Sequence, residues 1–133
     1  DQERCTACEI CASSCPTKAL SVRKDEKAVS LTFSYKDCIG CGLCESVCIE
    51  KAVSLERVFD VSRLLEDEPR TLITQDFVTC SNCGRPFTTT NRLRKLKEFY
   101  RQRGMVPATL NLCPTCRRDD VLPVRYPTKE VRR

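Results

Sequence analysis

Apolar and polar residues alternate most regularly over Ala28–Tyr35, and this pattern predicts a β-strand that pairs with a neighbouring strand. Shorter apolar segments at Ala19–Val22 and Ala52–Leu55 predict two further strands. The polar stretch Arg23–Lys27 separates the first two of these strands and suits a hairpin loop. The amino-terminal region is therefore expected to contain an antiparallel hairpin and one additional strand.

The region after residue 90 has helical periodicity instead. Over Asn91–Arg103, apolar residues recur on one helical face and basic residues occupy the other positions, which predicts an amphipathic helix. Asn91 is placed to act as its N-cap and Gly104 as its C-cap. We expect irregular structure from residue 117 onwards, with 121–133 as a docking tail.

The segment 60–78 carries weaker signals than its neighbours. Val61–Glu68 is compatible with a short helix that Pro69 ends. Arg70–Val78 has no clear assignment from its pattern. We therefore expect 60–78 to link two structured regions.

Cysteine is heavily over-represented, at 12 residues, and all of the cysteines fall in tight groups. The runs Cys5–Cys15 and Cys38–Cys48 share the spacing Cys-x₂-Cys-x₂-Cys-x₃-Cys and have similar flanks, offset by 33 residues. This repeat indicates a duplicated half-domain, in which each cysteine loop leads into a helical turn and then a strand. Cysteines at this spacing are poorly placed for disulfides and well placed to share a metal centre in a reducing compartment.

The spacing within each run is the bacterial ferredoxin signature. Three closely spaced thiolates bind one [4Fe–4S] cubane, and the fourth cysteine reaches the other cluster. We assign cluster one to Cys5, Cys8, Cys11 and Cys48, and cluster two to Cys38, Cys41, Cys44 and Cys15. The proline of the signature is present after the first run, as Pro16, but Ile49 replaces it after the second. Because the proline supplies no ligand, the assignment is unchanged. Gly40 and Gly42, present only in the second loop, are expected to let amides approach sulfur and to make the two potentials differ.

The remaining four cysteines form two Cys-x₂-Cys pairs, each a turn that aims two thiolates at one metal. Together they predict a closed tetrahedral site of four sulfurs, structural rather than catalytic. Its ligands are Cys80, Cys83, Cys113 and Cys116. We expect zinc; a rubredoxin-like mononuclear iron and a further cluster remain open as alternatives. The basic helix between the pairs argues against rubredoxin, which has an aromatic core there.

Charge and composition narrow the possible functions. The formal charge of +5 falls close to neutral once two clusters and one zinc bind, so it is a weak argument for a polyanionic partner. The lack of histidine removes Rieske-type clusters and the commonest acid–base group. The sequence contains no apolar run of transmembrane length and no signal-peptide pattern. Only four residues precede Cys5, which fits a chain trimmed from a longer one.

Residues 1–59 resemble dicluster ferredoxins. The whole layout resembles the small iron–sulfur subunit of formate hydrogenlyase and of related membrane-bound group 4 hydrogenases, relatives of the ferredoxin-like subunit of respiratory complex I. Besides the cluster ligands, the residues that carry this similarity are Cys80, Cys83, Arg85, Pro86, Phe87, Cys113, Pro114, Cys116 and Arg117.

The resemblance implies an α+β fold with a ferredoxin-like domain over 1–59, a linker over 60–78, a zinc-ribbon-like Cys₄ domain over 79–120 and the tail 121–133. It also implies an electron-transfer subunit of a multisubunit oxidoreductase, with two [4Fe–4S] clusters and no catalytic site or small-molecule substrate of its own. Such subunits lie on the cytoplasmic side of the membrane and touch it only through partner subunits.

Two other functions are compatible with the sequence. The first is a free, diffusing ferredoxin with an appended zinc domain. The second is an iron–sulfur regulatory protein that binds nucleic acid through the basic residues of Arg92–Arg103. The ferredoxin-like domain gives nucleic-acid binding no obvious use, so we do not expect that partner.

Overall fold

The computed structural model describes residues 1–56, 58, 60–65 and 68–121. Within these residues four strands form one antiparallel sheet in the order β1-β2-β3-β4, and four α-helices accompany it. The strands are β1 (Leu20–Lys24), β2 (Ala28–Phe33), β3 (Arg70–Thr79) and β4 (Pro86–Thr89). The helices are α1 (Ile10–Ser13), α2 (Leu43–Ser46), α3 (Thr90–Arg101) and α4 (Pro114–Val121). Apart from Val121, the predicted tail 121–133 lies outside the described residues.

The sequence repeat is also a repeat of backbone conformation. Helices α1 and α2 occupy equivalent positions 33 residues apart, and each begins directly after a left-handed N-cap residue, Glu9 or Gly42. The residues with positive φ recur in pairs at the same offset: Ala7 with Gly40, Glu9 with Gly42, and Lys18 with Lys51. Because few L-residues adopt this conformation without cost, the matching positions indicate that both loops follow one path.

The predicted hairpin is confirmed. Strands β1 and β2 pair antiparallel with Leu20 opposite Phe33 and Lys24 opposite Val29. The turn between them is held by Asp25, whose carboxylate accepts hydrogen bonds of 2.7 Å from the backbone amides of Lys27 and Ala28. This is the local side-chain-to-backbone bond that makes Asp a favourable turn residue. The strand predicted to Tyr35 ends at Phe33.

The region expected to be a linker contains the longest strand of the sheet. Strand β3 pairs with β2 on one side and with β4 on the other, so it joins the dicluster half to the Cys₄ half. Its buried positions are Ile73 and Gln75, with the exposed Thr74 between them. Because Gln75 is polar, the alternation of buried and exposed positions in β3 does not appear as an alternation of apolar and polar residues in the sequence. Upstream, a short 3₁₀ helix covers Val61–Leu65 of the predicted helix Val61–Glu68, while residues 66 and 67 lie outside the described residues.

The strand predicted over Ala52–Leu55 is wrong, because the structure assigns no strand to these described residues. Strand β3 occupies the free edge of β2 instead and satisfies its backbone groups. The amide of Ala52 donates to the sulfur of Cys48 at 3.2 Å, so this segment follows the cysteine loop rather than the sheet. Tertiary pairing thus overrides a local strand propensity.

Helix α3 confirms the amphipathic helix and one of its two predicted ends. It begins at Thr90, with Thr89 rather than Asn91 as N-cap, and the Thr89 side chain makes no capping bond. At the other end Gly104 has a φ of 77° and its amide donates to the Arg101 carbonyl, while the amide of Met105 donates to that of Tyr100. This pair of bonds is a Schellman motif, which requires the left-handed residue that glycine supplies.

Helix α4 corrects the expectation of irregular structure from residue 117. It begins at Pro114, a favourable first helical residue because its missing amide would be unpaired there. The Arg117 guanidinium fastens the helix by donating to the carbonyls of Thr109 and Leu112, both at 3.1 Å. Over the part of the chain that is described, every helix is too short or too polar to cross a bilayer.

The apolar core under the sheet is small. Its buried residues are Ala12, Leu20, Leu31 and Ile73. The partly buried side chains packed against it include four cysteines: Cys5, Cys11, Cys15 and Cys44. A core with this few large side chains buries little apolar surface, so metal ligation by those cysteines is expected to contribute much of the folding free energy.

Candidate metal centres

The first cavity of the molecule brings together cysteines from both runs. It is lined by the thiols of Cys5, Cys8, Cys11 and Cys48. Cys5 and Cys8 lie on the loop that leads into α1, Cys11 lies in α1 itself, and Cys48 follows α2. Apolar side chains of the hairpin, among them Val22, Val29 and Leu31, close the wall behind the thiols.

The second cavity has the reciprocal composition. Its thiols are those of Cys38, Cys41, Cys44 and Cys15. Cys38 and Cys41 lie on the loop that leads into α2, Cys44 lies in α2 itself, and Cys15 follows α1. Each cavity therefore groups three cysteines of one run with the last cysteine of the other, as crossed ligation of two cubanes requires. The ligand sets themselves stay predictions, but the donor set and its grouping fit a [4Fe–4S] cluster in each cavity.

The surroundings of these thiols differ. Burial raises the pKa of Cys5 and Cys11 in the first cavity and of Cys44 in the second. Thiols of this kind must lose their protons when they bind metal, so metal binding is coupled to proton release. The pKa of Cys15 is lowered, chiefly because the Leu20 amide donates to its sulfur.

Backbone amides donate to two of the predicted cluster-ligand sulfurs, and the donors are not the glycines expected from the sequence. The amide of Ala7 donates to Cys5 at 3.4 Å and the amide of Ala52 to Cys48 at 3.2 Å. Gly40 and Gly42 instead share a left-handed backbone, and a side chain at Gly40 would meet no atom within 4 Å. The second-loop glycines therefore serve backbone conformation rather than close packing of protein atoms.

The remaining four cysteines form a third, compact centre. The sulfurs of Cys80, Cys83, Cys113 and Cys116 all lie within 4.8 Å of one another. The Cys83 and Cys113 sulfurs are 3.7 Å apart, close to the roughly 3.8 Å edge of a tetrahedron with Zn–S bonds of about 2.3 Å. Four converging thiols with this spacing fit a single tetrahedral metal ion.

Each pair of cysteines in this centre is positioned by a different element. Cys80 and Cys83 lie in the loop that joins β3 to β4, where Gly84 adopts a φ of 70° and its amide donates to the Cys80 carbonyl. Cys113 and Cys116 lie at the start of α4, whose amino-terminal dipole favours thiolates. The Cys113 amide donates to the Cys80 sulfur at 3.2 Å and so connects the two pairs.

The surroundings of the centre favour the thiolate form of Cys80 and Cys83 but not of Cys116. The Cys113 amide is the main cause that lowers the pKa of Cys80 to about 6. The Arg85 guanidinium, which donates to the Cys83 sulfur, lowers the pKa of Cys83. At Cys116 a hydrogen bond from Asn82 favours the thiolate, but the neighbouring thiols and desolvation outweigh it and raise the pKa to about 12. Crowded thiols cannot all ionise without a cation, which is the chemistry of a metal site.

Several residues behind the resemblance in the carboxy-terminal half lie around this centre. Arg85 contacts Cys83, and Phe87 packs against the buried cysteines. Arg117, next to Cys116, donates a hydrogen bond to the Thr109 carbonyl in the segment before Cys113. The structure thus gives each of them a role in shaping the four-sulfur site. That the unit is a zinc ribbon remains a prediction.

A further set of residues was missed by sequence reasoning. Asn91, interpreted as a helix cap, instead donates its side-chain amide to carbonyls beside the first cysteine loop, including that of Cys5 at 3.0 Å. Thr89 donates its hydroxyl to the Thr6 carbonyl at 2.8 Å. These contacts span more than 80 residues of sequence, and no short-range spacing signals them.

Four of the six basic residues in Arg92–Arg103 make contacts within the chain. The guanidinium of Arg94 donates to the Glu3 carbonyl at 2.8 Å, and Lys95 donates to the Arg4 carbonyl and pairs with Glu50. Further along, Arg101 pairs with Glu98, and Arg103 stacks its guanidinium on the ring of Phe99. These contacts remove much of the continuous free basic surface that nucleic-acid binding needs.

Comparison with known proteins supports the amino-terminal centres. No curated protein matches the chain. Residues 4–52 match the family described as the 4Fe–4S dicluster domain, and the matched range contains both cysteine runs. The chain therefore matches a 4Fe–4S dicluster domain over residues 4–52, and this match implies iron–sulfur electron transfer.

Proposed function

We propose that this chain is an electron-transfer subunit that relays single electrons through two [4Fe–4S] clusters within a multisubunit oxidoreductase, such as a membrane-bound hydrogenase or a formate hydrogenlyase complex. The observation that carries the proposal is the grouping of eight thiols into two neighbouring cavities, four to each. A [4Fe–4S] cluster, when bound, accepts and releases one electron.

The proposed ligands follow that grouping. Cys5, Cys8, Cys11 and Cys48 hold cluster one, and Cys38, Cys41, Cys44 and Cys15 hold cluster two. Crossed ligation fastens α1 and α2 to each other, because each helix is followed by the last ligand of the opposite site. The apolar wall of the first cavity limits water, and the amides on Cys5 and Cys48 stabilise thiolate charge.

For the third centre we propose structural zinc. Four sulfurs within 4.8 Å of one another leave no ligand position for substrate once a tetrahedral ion is bound. The centre joins the β3–β4 loop to α4, so its role is to hold the carboxy-terminal half together.

An exposed apolar surface supports the subunit assignment over a free ferredoxin. Large apolar side chains surround the second cavity, and three of them are Ile39, 66% exposed, Val58, 73% exposed, and Leu72, 46% exposed. Apolar side chains grouped in this way mark protein interaction sites more often than freely solvated surface. We propose that a partner subunit covers them and places its own redox centre near cluster two. Association with the cytoplasmic face of the membrane then comes through partner subunits.

Anaerobic affinity purification from native membranes and from cytosol tests the proposal. The expected result is co-purification with a large redox subunit of hydrogenase or complex I type, with iron retained by this chain. Recovery as an iron-loaded monomer from both fractions would support the free ferredoxin instead. Salt-dependent retention on nucleic acid would favour the regulatory alternative, which the internal contacts of Arg94 and Lys95 disfavour.

A further inference from the structure

Helix α3 is fastened to the chain segment that leads into the first cysteine loop. The Asn91 side-chain amide donates to three carbonyls, those of Gln2 at 2.9 Å, Glu3 at 3.3 Å and Cys5 at 3.0 Å. Thr89, the residue before α3, donates its hydroxyl to the next carbonyl, that of Thr6, at 2.8 Å. The carbonyls of the first cluster ligand and of the residue that follows it are thus both hydrogen-bonded by this region of the chain.

The same helix also reaches the segment that follows the fourth ligand of that site. Lys95 donates to the Arg4 carbonyl, next to Cys5, and pairs with Glu50, two residues after Cys48. One helix therefore contacts both stretches of chain that carry the predicted cluster-one ligands. Both Thr89 and Thr6 are buried, at 5% exposure, so water competes little for their hydrogen bond.

Thr89 departs from the usual behaviour of its position. A threonine at an N-cap normally accepts a hydrogen bond from the first turn of its own helix. Here it makes no capping bond and donates to the loop instead. The helix forgoes a local bond for a contact 83 residues away, which indicates that the contact stabilises something other than α3 itself.

We propose that Thr89 and Asn91 are positioning residues for cluster one, which fix the Cys5–Cys8 loop from outside and make its order depend on the folded carboxy-terminal half. This rests on the proposed dicluster function and adds a role that the dicluster domain does not contain. These side-chain contacts of Thr89 and Asn91, here called the brace, all go to the first loop and the segment before it. At the position of the second loop that matches Thr6, Ile39 is mostly exposed, so the buried contact of Thr89 has no counterpart there.

Two substitutions remove the brace with little other change. Asn91→Asp keeps the size of the side chain and suits the first turn of a helix, but it removes the donors and turns a carboxylate towards carbonyl oxygens. Thr89→Val keeps the shape of a buried side chain and removes only the hydroxyl. Arg92→Ala is the control, because Arg92 is exposed on the same helix and makes no hydrogen bond or ion pair with the part of the chain that is described.

The experiment measures iron release from the anaerobically purified, full-length protein to a ferrous chelator. Alkylation and mass spectrometry identify which cysteines become free in each kinetic phase. We expect Asn91→Asp to release iron from the Cys5 site about tenfold faster, because it loses one partly buried and two exposed hydrogen bonds and places a carboxylate beside the carbonyl oxygens. Thr89→Val should have a smaller effect of the same kind. Release from the Cys38 site should be unchanged, and Arg92→Ala should match the wild type.

Equal release from the Cys5 site in all four proteins overturns the proposal. So does equal acceleration at both sites, which indicates general destabilisation. A wild-type protein that binds no iron contradicts the proposed function instead. Amide hydrogen exchange at residues 2–8 then still decides the positioning role, because faster exchange in Asn91→Asp than in Arg92→Ala is required with or without clusters.

Discussion

The two cysteine loops have one backbone and two different environments. Both carry left-handed residues at matching positions, and both lead into a four-residue helix. The first loop lies under α3, and its Thr6 is 5% exposed. At the matching position of the second loop Ile39 is 66% exposed, and it lines the second cavity together with other exposed apolar side chains. Duplication accounts for the shared path, and the carboxy-terminal half accounts for the difference.

This difference suggests a direction for the proposed electron path. The site covered by the chain's own helix is held by internal contacts, whereas the site surrounded by exposed apolar residues is available to another protein. An internal repeat thus provides two equivalent metal sites, and an added unit makes them inequivalent. The predictions that follow test this inequivalence, starting with the largest expected effect.

Removing a crossed ligand should remove the cluster of the opposite run. In Cys48→Ala we expect iron to fall by about half, because one of two cubanes is lost. Alkylation should then label Cys5, Cys8 and Cys11 while Cys38 stays protected, since the first cavity contains Cys48. Mass spectrometry of the labelled peptides provides the measurement.

The matched control is Cys15→Ala, which should give the reverse labelling, with the Cys38 run exposed and the Cys5 run protected. Crossed ligation would be contradicted if Cys48→Ala exposed the other cysteines of the Cys38 run and Cys15→Ala exposed the other cysteines of the Cys5 run. The two substitutions occupy equivalent repeat positions, so general destabilisation affects them alike.

Loss of a ligand from the four-sulfur centre should affect cluster one more than cluster two. In Cys113→Ser we expect the bound zinc to be lost, since this buried cysteine connects both pairs. Structural zinc contributes on the order of 10 kcal/mol of binding free energy, so the carboxy-terminal half should lose its fold. Zinc analysis and the iron-release assay report the two effects, and retention of zinc would contradict the assignment.

A charge placed at the second loop should weaken partner binding without unfolding the chain. We expect Ile39→Glu to reduce recovery of the partner subunit by about tenfold, because a desolvated charge at an interface costs well over 1 kcal/mol. Ile49→Glu is the matched control, being of the same type and 77% exposed but outside the second cavity's lining. Quantitative co-purification measures both, and equal losses would remove the evidence for this docking surface.

The smallest effect concerns the left-handed positions. Gly40→Ala should lower the free energy of unfolding by about 1 kcal/mol, because only φ strain opposes the added methyl group. The reciprocal change Ala7→Gly, at a φ of 51°, should raise it by a similar or smaller amount. Denaturant unfolding of both variants under identical metal loading measures the pair. Shifts of the same sign would contradict a shared loop conformation.

Local sequence signals predicted much of this molecule. Cysteine spacing anticipated the three groups of thiols, and apolar alternation located the β1–β2 hairpin, because both depend on residues a few positions apart. The Schellman glycine at 104 was predictable for the same reason. Strand β3 was not, since its polar Gln75 is buried by tertiary contacts.

The brace on the first loop could not be read from the sequence. Asn91 and Thr89 have the composition of helix caps, and only the folded chain shows that their donors face carbonyls of residues 2–6. For Ala52–Leu55 the local pattern predicted a strand that does not form, because β3 pairs with the edge of β2 instead. Contacts between distant polar residues leave no periodic trace, so they are the hardest features to infer.

The most direct test of the central claim is metal analysis of the anaerobically purified protein, combined with low-temperature electron spin resonance after reduction. Two [4Fe–4S] clusters predict about eight irons and eight sulfides per chain, and spectra of two paramagnetic clusters close enough to interact. One zinc per chain should accompany them. Iron near four per chain, or a spectrum from one cluster alone, would contradict the two-cluster assignment.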